Sequence, residues 1–116
     1  MSTEILDHAA LKKLLQMIGG EAEDFDEMKD EFLDSVPDIL ADLNTTDMDA
    51  LRIASHSLKG NAQDFGAAQL SQLCATLETE CKDGTLGDPG PLVAEITAAA
   101  HAAMGALRAL EANDLD

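Results

Sequence analysis

Five consecutive residues, His56-Ser57-Leu58-Lys59-Gly60, combine an imidazole, an ammonium and a glycine in a segment otherwise patterned as an amphipathic helix. An imidazole nitrogen is a competent nucleophile near neutral pH, and a covalent adduct on it splits a group transfer into two easier steps. At about 100° per residue, Leu51, Ala54, Leu58, Ala62 and Phe65 fall within one narrow arc, which is the expected core stripe. His56 lies roughly 160° from the centre of that stripe, with Arg52, Lys59, Gly60 and Gln63 on its own face. It is therefore expected to point at solvent.

A histidine on the polar side of a helix is usually only a solvated residue. His101 illustrates this: it lies opposite its own stripe with alanines around it, and His8, in the first turn of its helix, is equally unremarkable. His56 differs in its neighbours. A glycine inside a helix costs about 1 kcal/mol relative to alanine, and Gly60 sits on the exposed side, where no close helix crossing requires it; its missing side chain leaves room for a partner to reach the imidazole. Lys59 can set its ammonium beside anything attached to the ring, or it is an ordinary solubilising lysine that contributes little to stability. Gln63 completes a face whose bulky members are Ile53 and Arg52. With 23 acidic against 7 basic residues and a net charge of −16, the cluster of Arg52, Lys59 and His56 is a local positive island suited to an anion such as a transferring phosphoryl group.

The elements that must position this face are helices. Among the 116 residues aromatics are 3%, and Ala, Leu, Glu, Asp and Met are plentiful, which favours packed helices over sheets. The length suits one domain, spanning 1–116. Asp7 can cap a short first helix carrying Leu11, Leu14 and Ile18 and ended by Gly19-Gly20. A long second helix is expected from Glu21 to about Asn44, with Phe25, Met28, Phe32, Val36, Ile39 and Leu43 at three- and four-residue steps and a kink at Pro37. Thr46 and Asp49 form a capping-box variant ahead of the His56 helix, which stops at Gly66. A fourth helix runs from about Ala67 to Asp83, with Gly84 at its C-terminal turn, and the loop Gly87-Asp88-Pro89-Gly90-Pro91 leads into a fifth carrying Leu92, Ile96, Ala99, Ala103, Leu107 and Leu110. Residues after Ala112 are expected to fray. Long helices with short connections predict an all-α fold, an antiparallel four-helix bundle with the short N-terminal helix across one end.

Several function classes are disfavoured. The acidic balance repels phosphate backbones and anionic membranes, and the chain has neither a basic-apolar leader nor a spanning apolar run, so a cytoplasmic protein is expected. Cys74 and Cys81, seven residues apart on one helix, lie ~10.5 Å apart along its axis and cannot form a disulfide; free thiols are expected and metal binding is not. No Gly-rich phosphate loop, HEXXH or Ser/His/Asp constellation is present, so the chain is not expected to bind ATP or to phosphorylate itself.

The segment Ala54-Ser55-His56-Ser57-Leu58-Lys59-Gly60-Asn61-Ala62, with Phe65-Gly66-Ala67, Leu70, Leu73-Cys74 and Leu77-Glu78 after it, resembles the histidine-containing phosphotransfer (HPt) domain, which relays phosphoryl groups in multistep two-component signalling. Ser55 replaces the first alanine of that family's AHxLKG core. The resemblance implies that His56 takes the phosphoryl group on Nε2, that Lys59 helps neutralise it with Arg52 nearby, and that Gly60, with Ile53 and Gln63, admits a receiver domain. It implies response-regulator receiver domains and a hybrid histidine kinase as partners, with Mg²⁺ supplied by the receiver and no cofactor held by this chain. In some members a residue on the next helix, often glutamine, orients the other ring nitrogen; by spacing that position is Glu78, roughly 80° off its helix's stripe. Glu78 either accepts the Nδ1 proton or is a plain surface residue. The alternative function is a helical adaptor or kinase inhibitor that docks without transferring phosphate. A monomer is the simpler assembly.

Overall fold

The computed structural model describes residues 5–111 and Leu115. Five helices follow one another: α1 (His8–Met17), α2 (Ala22–Asp42), α3 (Met48–Asp64), α4 (Ala68–Asp83) and α5 (Gly90–Ala109). Contacts of α2 with α3, α3 with α4, α4 with α5 and α5 with α2 close a ring of four, the antiparallel bundle expected of long helices on short connections. α3 and α4 form the most extensive pair, and α1 packs on α3. Among the described residues no helix is long and apolar enough to cross a membrane.

Each helix contributes its apolar stripe to one continuous core. Phe25, Phe32 and Val36 of α2 meet Leu51, Leu58 and Ala62 of α3, Leu70, Cys74 and Leu77 of α4, and Ile96, Ala103 and Leu107 of α5. All three phenylalanines of the chain gather at one end: Phe32 packs on Phe65 at 4.8 Å between ring centres and Phe25 at 6.5 Å, both tilted as ring quadrupoles favour. The two cysteines are free thiols. Burial pushes the Cys74 thiol up to about 12, with Lys59 opposing part of the rise, so it packs as a small neutral hydrophobe.

Helix ends depart from the sequence reading most clearly at the starts of α3 and α5. The cap of α3 is Asp47, not Thr46: its carboxylate accepts from the Asp49 and Ala50 N–H groups, while Thr45 Oγ1 accepts from Asp47 N. Two acceptable capping residues stand side by side, and the helix uses the charged one, which also favours the positive end of the dipole. α5 begins at Gly90, so Gly90 and Pro91 belong to its first turn and not to the loop; Pro91 is suited to that turn because its missing N–H would have no helical partner. The fraying expected beyond Ala112 falls largely on positions outside the described residues, but Leu115 is buried at 5% exposure. α2 runs through the exposed Pro37 from Ala22 to Asp42.

The turn from α3 to α4 is fixed by a seam with the start of α1. Gly66 takes φ of +69°, and its carbonyl accepts from Asp7 N at 2.8 Å while the Asp7 carboxylate caps α1. A Cβ on Gly66 would stand 2.7 Å from Asp7 O and 3.0 Å from Asp7 N, both backbone atoms that cannot swing aside. Gly66→Ala is expected to destabilise the protein by about 1 to 3 kcal/mol, from left-handed strain and this clash together. Urea denaturation measures it; an unchanged midpoint would mean that the seam does not fix the turn.

Candidate functional site

Around His56 the backbone is ordinary helix, and the arrangement comes from how α3 lies on α4. The inner stripe of α3 is buried, including Ser55, whose hydroxyl donates to the Arg52 carbonyl and so enters the core satisfied. One residue on, the His56 side chain is 66% exposed. Its Nδ1 lies 2.7 Å from Glu78 Oε2, and the other oxygen of the same carboxylate accepts from Lys59 Nζ at 2.6 Å. Lys82, one turn beyond Glu78 on α4, completes the group at 3.5 Å from Oε2.

Glu78 is only 4% exposed, which answers the question its sequence position left open: it is not a surface residue. A carboxylate this buried must be paired, and here it is hydrogen-bonded to His56 and Lys59, with the Lys82 ammonium close beside them. The Lys59 ammonium, foremost, then the His56 ring and the Lys82 charge, hold it at about 2, well below its ordinary value and against the opposing effect of burial. At neutral pH Glu78 is therefore an anion that can only accept hydrogen bonds, and the proton of the shared contact sits on Nδ1. The neutral ring then carries its free lone pair on Nε2.

The other predicted residues divide. Lys59 is in the cluster and is not the ordinary solubilising lysine that was one of its two readings: its side chain is 27% exposed and its ammonium is bonded to Glu78. Arg52 pairs with Asp49 one turn back, at a long 3.9 Å, and is not drawn into the Glu78 cluster. Gly60 and Gln63 are exposed on the face of His56, and nothing lies within 4 Å of the point where a Gly60 Cβ would stand. Ile53, 58% exposed, borders a cleft of about 340 Å³ between α2 and α3 that Ile39, Asp42 and Ser57 also line. His8 and His101 are exposed and lie elsewhere. Lys82 was missed, although its i,i+4 spacing from Glu78 was a usable signal. Among the described residues no group of three or more His, Cys, Asp or Glu side chains is placed to hold a metal ion.

A buried acid hydrogen-bonded to one nitrogen of an exposed imidazole, with a lysine on its other oxygen, is one of the two arrangements that the position of Glu78 left open. The Hpt domain family matches residues 27–110, which takes in the whole cluster. The chain belongs to the Hpt domain family. The crystal structure of histidine-containing phosphotransfer protein B from Pseudomonas aeruginosa PAO1 superposes with a TM-score of 0.82 over 92% of this chain and 94% of that one, at 23% identity, and so shares the bundle. A comparison with curated proteins gives no significant match. Hpt domains serve histidine phosphotransfer in phosphorelays.

Because the Glu78 carboxyl is lowered by folding, the stability it contributes is complete above its ordinary value of 4.5 and is lost as pH falls through about 2. Glu78→Gln is expected to cost on the order of 1 kcal/mol at neutral pH, with the gap from wild type narrowing between those two values. Lys59→Ala, which leaves a buried acid short of its main partner, should also destabilise. Denaturation midpoints at a series of pH values test both, and a gap independent of pH would contradict the assignment.

Proposed function

We propose that this Hpt domain is a relay intermediate, taking a phosphoryl group from a receiver's aspartyl phosphate onto Nε2 of His56 and passing it to the aspartate of another receiver. The observation that carries the reading is the 2.7 Å contact between Nδ1 and the ionised, buried Glu78 on a ring that is otherwise largely exposed. It leaves the nucleophilic lone pair on the outward nitrogen, the requirement for in-line attack by an imidazole.

The remaining residues have roles consistent with this. Lys59, within the same cluster, is the cation placed to neutralise a group on the ring, and Arg52 adds positive potential one turn away. Gly60 leaves the approach open, and Ile53 and Gln63 border it as docking residues. Receiver domains are the partners, a hybrid histidine kinase stands upstream, and the receiver brings its own Mg²⁺. In this reading the domain acts as a cytoplasmic monomer with no kinase activity of its own.

Incubation with a phosphorylated receiver tests the reading directly. Wild type should acquire an acid-labile, alkali-stable label, and so should His8→Gln and His101→Gln, while His56→Gln should remain folded and unlabelled. Label on His56→Gln at the wild-type rate would remove His56 from the mechanism; a wild type that binds the receiver and stays unlabelled would be the docking adaptor instead.

Gly60 separates stability from docking. With open space around it, Gly60→Ala should stabilise the free protein by about 0.5 to 1 kcal/mol, and Gly60→Gln should retain most of that gain while slowing transfer severely. Thermal melts and transfer rates, set beside a Gln substitution at a distant exposed position, check this. A Gly60→Gln protein that transfers at the wild-type rate would place the docking face elsewhere.

A further inference from the structure

The contact between His56 and Glu78 bears on the phosphorylated ring as well as on the free one. In the inward step the Nε2 lone pair forms the N–P bond while the P–O bond to the receiver's carboxylate breaks, its electron pair returning to that carboxylate. With hydrogen still on Nδ1, the product ring is a phosphoimidazolium. In the outward step the next receiver's carboxylate oxygen forms a P–O bond, and the electron pair of the N–P bond returns to Nε2. If Nδ1 has kept its proton the ring departs as neutral imidazole; if it has lost the proton, the ring must depart as an imidazolate, a far poorer leaving group, or recover a proton first.

We propose that Glu78 retains the Nδ1 proton through both steps, so that phosphorylated His56 remains a phosphoimidazolium and a fast, reversible donor. This rests on the relay reading above and adds a second role for Glu78, as a residue acting through His56. Three observations support it. The 2.7 Å separation is at the short end for a charge-assisted hydrogen bond. Glu78 is nearly sealed from water, which strengthens the bond and limits competition from solvent. Its two oxygens also divide their work, Oε1 accepting from Lys59 and Oε2 from the ring. A phosphoryl group on Nε2 offers the Lys59 ammonium a second anion, and any movement toward it leaves the carboxylate less neutralised where it faces Nδ1–H.

The charged groups around the ring make the assignment specific. α3 contributes Arg52, already paired with Asp49, and Lys59; α4 contributes Glu78 and Lys82; Asp42 of α2 lies in the neighbouring cleft beside Ser57. Among the described residues, Glu78 is the anion hydrogen-bonded to His56. The cations would all favour loss of the proton, so its retention depends on this carboxylate.

The test needs no cognate partner for its first part. The protein is phosphorylated with phosphoramidate, and the ¹⁵N shift of Nδ1 is followed between about pH 6 and about pH 9 for folded wild type, wild type unfolded in urea, and Glu78→Gln. Folded wild type should keep the Nδ1 proton to a pH about one unit or more above the other two, the effect of a close opposite charge. Near the top of that range, transfer to a receiver should fall about tenfold in Glu78→Gln relative to wild type, since one unit of proton affinity is a factor of ten. If folded and urea-unfolded wild type titrate together, the proposal is overturned, and that comparison decides even if Glu78→Gln does not fold. If neither phosphoramidate nor a phosphorylated receiver forms phosphohistidine on His56, the relay reading itself falls, a result distinct from a phosphohistidine that titrates normally.

Discussion

One nearly buried carboxylate organises the functional face of this protein. An ionised group removed from water must be compensated on the spot, and Glu78 is compensated by side chains from both helices of the closest pair, His56 and Lys59 from α3 and Lys82 from α4. Rotation of α3 relative to α4 would break the contacts with His56 and Lys59. The same bonds that satisfy the charge therefore add to the apolar stripes in fixing how α3 lies on α4, and they set the orientation of the imidazole and the choice of tautomer.

This has a consequence for how function and stability are coupled. The His56 ring contributes little to packing, being largely exposed, whereas its partner Glu78 is part of the folded interior. Lys59 belongs to both domains of behaviour: its side chain is still partly exposed, yet its ammonium is the principal group holding the buried acid ionised. The fold thus supplies a hydrogen-bond acceptor whose charge is maintained by the surroundings and does not fluctuate with moderate changes of pH.

Much of this was legible from periodicity. The stripes on α2, α3 and α4, the Asp7 cap, the left-handed Gly84 ending α4 and the outward direction of His56 follow from spacing on a single helix and from backbone preferences. What could not be read were relations between helices. A helical wheel places Glu78 at the margin of its stripe, which suits a residue at the water's edge as well as one beneath a neighbouring helix, and only the close approach of α3 decides between them. The two readings of Lys59 stayed open for the same reason, since its exposure is set by a partner 19 residues away. The Asp47 start of α3 was missed because Thr46 was an equally acceptable cap on local grounds. Lys82 needed no tertiary knowledge, only attention to the pair it makes with Glu78 along one helix.

The brief connection between α3 and α4, three residues from Phe65 to Ala67, gives the site a place in the assembly of the fold. His56 and Glu78 are 22 residues apart in sequence, so bringing them together closes a small loop at modest entropic cost. The α3–α4 hairpin also has the most extensive contacts in the molecule. Local pairings of this kind are favoured early in folding, whereas the contact of α2 with α5 must join distant parts of the chain. The two helices that carry His56 and Glu78 are thus joined by the shortest of entropic steps, whereas α2 and α5 close the bundle across most of the chain.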